Sequence, residues 1–266
     1  GCFFFVKTES FWYKVASARM WGMNESKVNR IQKMAKISPF QQVHERLGAT
    51  FDQYDGWQLP RDFGNPFSEQ TAIENHCAAV DLSSFGRICL KGPDGLELLE
   101  KAGIRAEQPL ADGSWRWARQ NGQTLRIGKI PGEVVILTLP GQDQALLETL
   151  ERIGRLQTPD TDVINLSNST AMLGLYGPSS VQSVAPVLPF DLKPLGPGGV
   201  LKISFFMMNL ILFRGSWLDN EGLELLCPAA AGPMAAGSIT KARQKHNITP
   251  AGMIALRESL KNKELL

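Results

Sequence analysis

Apolar positions along this chain change their period several times, and the changes recur in order. Ile88-Cys89-Leu90 leads into Gly92-Pro93-Asp94 and then into Leu96, Leu98 and Leu99, which reads as a strand, a tight turn and an amphipathic helix. The order returns at Met172 to Tyr176, with Gly177-Pro178-Ser179 as the turn and Val181 and Val184 behind it. A second pair follows. Glu133-Val134-Val135-Ile136-Leu137-Thr138-Leu139-Pro140 is echoed by Gly222-Leu223-Glu224-Leu225-Leu226-Cys227-Pro228, and each leads into a helical pattern. The step from Gly92 to Gly177 and the step from Pro140 to Pro228 differ by three residues. Two echoes in register predict a duplicated unit of strand, Gly-Pro turn, helix, further strands and helix. The seam between two such halves is a natural place for a ligand.

Ahead of the first unit, Ser38-Pro39-Phe40-Gln41 reads as a capping box with proline at the first helical position, and Gly48 stops that helix. A second helix opens at Asn65-Pro66 and runs through Ala78, and Asp81 to Ser84 enters the first repeated strand. Ile203 to Phe213 is very apolar but far short of the ~20 residues a spanning helix needs, and reads as a strand buried on both faces. Residues 1–37 lack a clear period until Lys27–Lys36 and read as a tail or loosely docked helix. The expected organisation is therefore 1–37 as a tail, 38–160 as a first half and 161–266 as a second.

Composition narrows the function classes. With 266 residues, 43% hydrophobic and 20% charged, the chain has the balance of a soluble globular protein. A net charge of +2 and the lack of a basic, aromatic-interleaved stripe argue against nucleic acid and against an anionic membrane. Cys2, Cys77, Cys89 and Cys227 form no CxxC pair and read as reduced core residues of a cytoplasmic protein. His44, His76 and His246 have no ligand spacing, so no metal site is expected.

Several segments, in order, resemble the glycine-cleavage T-protein (aminomethyltransferase) family. They are Ser38-Pro39-Phe40, His44 to Ala49, Gly56-Trp57-Gln58-Leu59-Pro60, Glu69, Asp81 to Ile88 and Gly92-Pro93-Asp94. In the second half they are Gly177-Pro178, Arg214 to Glu224 and Pro250 to Lys261. The resemblance covers about residues 38–261 and implies an α+β fold: duplicated halves with antiparallel sheets and flanking helices around a central pocket for tetrahydrofolate. The family's carboxyl-terminal barrel has no counterpart before Leu266, which reads as a short variant or a truncated product.

The resemblance also implies site residues. Glu224 stands at the family's pterin-binding glutamate, where one carboxylate accepts the ring's adjacent amino and N–H groups. The alternative is an exposed glutamate alternating with Leu223 and Leu225. Trp217 replaces a family tyrosine and offers an aromatic face, with plain core packing as its alternative. Arg257 matches a family arginine if one residue is inserted before it, and otherwise is a solvated helix residue. Phe85 would line the apolar wall in either case. The family's essential aspartate falls in the stretch Asn121 to Gly128, at about Arg126, so the catalytic residue is unassigned here. An arginine is a fixed cation and cannot act as a general base. Three readings follow: a folate-dependent aminomethyl or methyl transferase of one-carbon metabolism, a non-catalytic folate-binding or regulatory paralogue, and a structural subunit with a collapsed pocket. The first two imply a folate, a one-carbon donor and a carrier-protein or subunit partner.

Overall fold

Strand and helix propensities resolve into two six-stranded sheets and a smaller sheet built on a hairpin in the computed structural model, which describes residues 35–266 apart from Phe206, Asp219 and Asn220. The expected tail of residues 1–37 lies, up to residue 34, outside the described residues. From Gln41 on, the described chain runs through helix α1 (Gln41–Arg46), hairpin β1 (Thr50–Tyr54) and β2 (Trp57–Asp62), helix α2 (Pro66–Asn75) and strand β3 (Ala78–Asp81). The first repeat follows: β4 (Gly86–Lys91), α3 (Gly95–Lys101), β5 (Arg105–Ala106), β6 (Ser114–Gln120), β7 (Gln123–Ile130), β8 (Glu133–Thr138) and α4 (Asp143–Gln157). Strand β9 (Asp162–Asn165) leads to the second repeat: β10 (Thr170–Tyr176), α5 (Ser180–Val184), β11 (Val200–Phe205), β12 (Met208–Arg214), β13 (Leu223–Pro228) and α6 (Gly232–His246). Strand β14 (Thr249–Ala251) and helix α7 (Met253–Lys261) close the described chain. No helix among the described residues is long and apolar enough to cross a membrane.

The first sheet has the order β9-β4-β8-β7-β6-β5 and the second β11-β12-β13-β10-β3-β14. Pairing is antiparallel except between β14 and β3. The repeat is visible here, with one exchange. Strand β3 precedes the first repeat yet pairs with β10 of the second, and β9 precedes the second repeat yet pairs with β4 of the first. A division of the chain at residue 160 therefore does not divide the sheets, because 162–165 belongs to the first and 78–81 to the second.

Period-2 alternation sorts the side chains into three cores. Leu173, Leu175, Leu212, Leu225 and Cys227 of the second sheet pack outward on α1 and α6. Ile88, Leu90, Ile127 and Ile136 of the first sheet pack outward on α3 and α4. Val135, Leu137, Met172, Phe213 and Leu226 meet between the sheets, with Leu256 and Leu260 of α7 joining them. The result is helices, sheet, sheet, helices, and a central apolar layer shared by both repeats.

Two local expectations change. Ser38 does not cap α1; its hydroxyl accepts from the Phe40 N–H and donates to Asp81 Oδ2 at 2.5 Å, tying the helix entry to β3. The apolar run 203–213 is not one strand but the parts of two, turning at Met207 with φ +61°, and its outer strand β11 alternates between half-buried and exposed positions after Val200.

Asp81 is buried and holds Ser38, His44 and the Ser83 N–H together. Burial alone would push its carboxyl up, but the hydrogen bond and charge of His44, with the bonds from Ser38 and Ser83, hold it below the usual range. A carboxyl depressed in the folded state contributes stability that is present above its unfolded value and lost as pH falls through the folded one. Urea-unfolding stability is thus expected to drop as pH falls below about 4, and Asp81→Asn to flatten that acid slope. An identical slope in the variant would assign acid sensitivity to other carboxylates.

Candidate functional site

Alternation also carries two charges into the central layer. On β13, Leu223, Leu225 and Cys227 face the outer helices, which turns Glu224 and Leu226 inward. On β7, Leu125 and Ile127 face outward and Arg126 inward. The two inward charges meet across the seam. Arg126 Nη1 donates to Glu224 Oε2 at 2.5 Å, with both side chains fully buried. The Tyr176 hydroxyl, at the end of β10, donates to Glu224 Oε1 at 2.7 Å.

Aromatic rings enclose this pair. The Arg126 guanidinium carbon lies 4.0 Å from the Trp115 ring centre, and 5.6, 5.7 and 5.8 Å from those of Trp117, Phe213 and Trp217. Local sequence explains the enclosure. Trp115 and Trp117 are two apart on β6 and so share its inner face, with Trp117 opposite Arg126 in register. Phe213 is opposite Glu224 on the neighbouring strand. Gly128 makes room for it, since a Cβ there would sit 2.6 Å from the Phe213 ring. Trp217 lies in the loop after β12, and its ring contacts Phe85 at 5.6 Å and Trp117 at 5.7 Å.

Burial dominates the electrostatics. It pushes the Glu224 carboxyl above its ordinary range, against the opposing pull of Arg126 and the Tyr176 hydrogen bond. It also drives the Tyr176 hydroxyl well above its ordinary value, with the Glu224 charge adding to the effect, so Tyr176 stays a donor at neutral pH. Arg126 Nε, Arg126 Nη2 and Trp217 Nε1 are buried donors without a hydrogen-bond partner among the described residues. Leaving such groups unsatisfied costs about 1–3 kcal/mol each.

The structure brings Glu224, Trp217 and Phe85 into one cluster, each at most 1% exposed. Glu224 is therefore not the exposed strand glutamate that alternation also allowed. Arg257 stands elsewhere. It projects from α7 to Asp55 Oδ2 at 3.2 Å, with the Tyr54 ring 5.9 Å away, both at the tip of the β1–β2 hairpin. Arg126, near which the resemblance placed the family's aspartate, binds the Glu224 carboxylate. Tyr176, Trp115, Trp117 and Phe213 were not singled out in the sequence. The Trp-x-Trp spacing on one strand face was the available signal for two of them.

Residues 40–262 match the family described as the GCVT N-terminal domain. The aminomethyltransferase of Saccharopolyspora erythraea is 23% identical over 235 residues, covering 84% of this chain and 62% of its own length. That of Moorella thermoacetica is 26% identical over 235 residues, covering 85% of this chain and 63% of its own. The chain thus spans about three fifths of the curated relatives it matches. Among solved structures, the glycine cleavage system aminomethyltransferase T of Bartonella henselae superposes with a TM-score of 0.71 at 20% identity, over 83% of this chain and 60% of that one. A chain of the heterotetrameric sarcosine oxidase of Corynebacterium sp. U-96 gives 0.52 at 19% identity, over 79% of this chain and 95% of that one. Both likenesses extend to the α+β fold.

Proposed function

Because this chain belongs to the GCVT N-terminal domain family, we propose that it binds a reduced folate at Glu224 and serves one-carbon transfer on that scaffold. The observation that carries the reading is the buried Glu224 carboxylate, set between the two sheets inside aromatic walls. Its present occupant tests the fit: the carboxylate takes one N–H of a planar guanidinium whose central carbon lies over the Trp115 ring, 4.0 Å from its centre. A pterin ring presents the same elements, an amino group beside a ring N–H on a flat π system. Tetrahydrofolate would be held by Glu224 and Tyr176 at its polar edge and by Trp115, Trp117, Trp217 and Phe85 on its faces. When bound it supplies the nitrogen that accepts a one-carbon unit.

What the chain itself contributes is positioning and exclusion of water. Glu224 and Tyr176 fix ring orientation, and the closed aromatic layer keeps the site dry, where hydrogen bonds to charge are strongest. Arg126 cannot take up a proton from the substrate, so the proposal assigns no general base to that position. The one-carbon donor and a carrier-protein or subunit partner belong to the part of the proposal that rests on the named relatives. The free thiols of Cys77, Cys89 and Cys227, all buried and pushed up to about 11 by burial, support a reducing compartment such as the cytoplasm.

Tryptophan fluorescence and calorimetry with tetrahydrofolate test this reading. Saturable binding is expected, and Glu224→Gln should weaken it by about 1.5–3 kcal/mol, the value of a hydrogen bond to a charged group. Binding of equal strength to both forms would remove Glu224 from the site. The structure also gives the collapsed-pocket reading a specific observation, since both Glu224 oxygens are already engaged. The absence of binding to every Arg126 and Glu224 variant would favour it.

A further inference from the structure

We propose that Arg126 is an internal stand-in for the guanidine edge of the pterin, so that a ligand reaches Glu224 only by exchange with the Arg126 guanidinium. The inference rests on the folate reading above and adds how the chain regulates that site. A pterin carries a guanidine unit within its ring: C2 bears the amino group and is flanked by two ring nitrogens. Arginine carries the same unit on a flexible stem. Both are planar, both direct neighbouring N–H groups at one carboxylate, and both stack on indole. Arg126 gives Glu224 one such N–H, from Nη1 to Oε2, and its guanidinium carbon lies over the Trp115 face, 4.0 Å from the ring centre.

A second buried arginine shows what a permanent structural guanidinium looks like in this fold. Arg87 is likewise 0% exposed. Its three nitrogens donate to the carbonyls of Leu82, Ser83, Phe85, Ser167 and Thr170 and to the Thr170 hydroxyl. Among the described residues Arg126 has one acceptor, and its Nε and Nη2 have none. The same chemical group is fully satisfied in one place and largely unsatisfied in the other. Arg126 therefore fills a site whose polar complement was not built around it. A cavity of about 330 Å³ borders the same Trp115 and Trp117 that enclose Arg126, and gives space beside the aromatic wall.

Exchange has a measurable consequence. If the open form, with Arg126 off Glu224, is a minor population, apparent affinity falls by that fraction; a one-in-ten population weakens binding about tenfold. Arg126→Ala should then bind tetrahydrofolate at least about tenfold more tightly than the wild type. A probe independent of folate is methylguanidinium at millimolar concentration. It should raise the melting temperature of Arg126→Ala saturably, and should do so neither for the wild type nor for Arg126→Ala with Glu224→Gln. Rescue by methylguanidinium with no folate bound by either form would uphold the exchange site and sink the folate reading. Wild-type affinity for tetrahydrofolate equal to or above that of the variant would overturn the exchange and leave the folate reading intact. A folded Arg126→Ala that ignores methylguanidinium also overturns it. Should Arg126→Ala fail to fold, the wild type carries the test through ¹⁵N-labelled arginine side chains. Saturating tetrahydrofolate is expected to shift the Arg126 resonances and leave those of Arg87 unchanged, and an unmoved Arg126 signal with folate bound refutes the proposal.

Discussion

Glu224→Leu, with Arg126 left in place, is expected to destabilise the fold by about 3–5 kcal/mol. The variant leaves a cation fully buried among four aromatic rings with no hydrogen-bond acceptor among the described residues for any of its nitrogens, while the Tyr176 hydroxyl loses its acceptor too. Cation–π attraction to Trp115 persists, but a desolvated contact of that kind contributes only about 2 kcal/mol. The double variant Arg126→Met with Glu224→Leu should recover most of the loss. The reason lies in the sign of the Glu224 shift: burial holds its carboxyl above the ordinary range, so Arg126 and Tyr176 do not fully offset the desolvation of the charge. A carboxyl raised in the folded state lowers stability as pH rises from its unfolded value through the folded one. In the wild type this loss sets in above about pH 4.3, where a glutamate ionises in the unfolded chain, and it should vanish in the double variant. Urea unfolding of the wild type, Glu224→Leu, Arg126→Met and the double variant closes the cycle. A Glu224→Leu penalty below about 1 kcal/mol would mean that Arg126 finds water or another partner, which places the pair at a hydrated surface rather than in the core.

Much of the fold was legible because its signals are local or periodic. The Gly-Pro turns at Gly92 and Gly177 each follow a strand and precede a helix, as the echo in the sequence implied. Asn65 caps α2, accepting from the Ser68 N–H, with Pro66 at the first helical position. The exchange of β3 and β9 was not legible, because a short strand carries no mark of which sheet it joins. The run 203–213 was misread for a related reason: a turn through Met207 uses no glycine or proline, so composition alone gives one apolar strand. At the site, the family resemblance pointed to Glu224 and to the oddity of Arg126, yet not to their pairing. That pairing depends on two strands 98 residues apart both turning an even-numbered position inward. Arg257 shows the converse, since a matching motif did not bring its side chain to the other candidates.

The exchanged strands create the second large expected effect, at Arg87. Strand β3 must leave the second sheet for the first repeat through Leu82–Phe85, and β9 must leave the first sheet for the second repeat through Leu166–Ser169. The Arg87 guanidinium lies between these crossings and donates to carbonyls of both, at 2.6 Å to Phe85 and 2.6 Å to Ser167. Burial lowers its pKa to about 10, which still leaves it charged at neutral pH. No single neutral donor can replace a planar fork that reaches two loops. Arg87→Met removes every one of these bonds and leaves buried carbonyls unsatisfied at about 1–3 kcal/mol each, so even two that find no other donor make the loss at least about 2 kcal/mol, and more as further carbonyls stay bare. Arg87→Lys keeps the charge but places it on one point, and should restore less than half of the stability. Hydrogen exchange separates this role from simple packing. Loss of the fork should deprotect amides in both crossings together, including Leu82, which donates to Met172, and Leu166, which donates to the Arg87 carbonyl. Deprotection confined to one crossing, or a lysine variant as stable as the wild type, would show that the strand exchange is held by the sheets themselves and that Arg87 only fills the space between them.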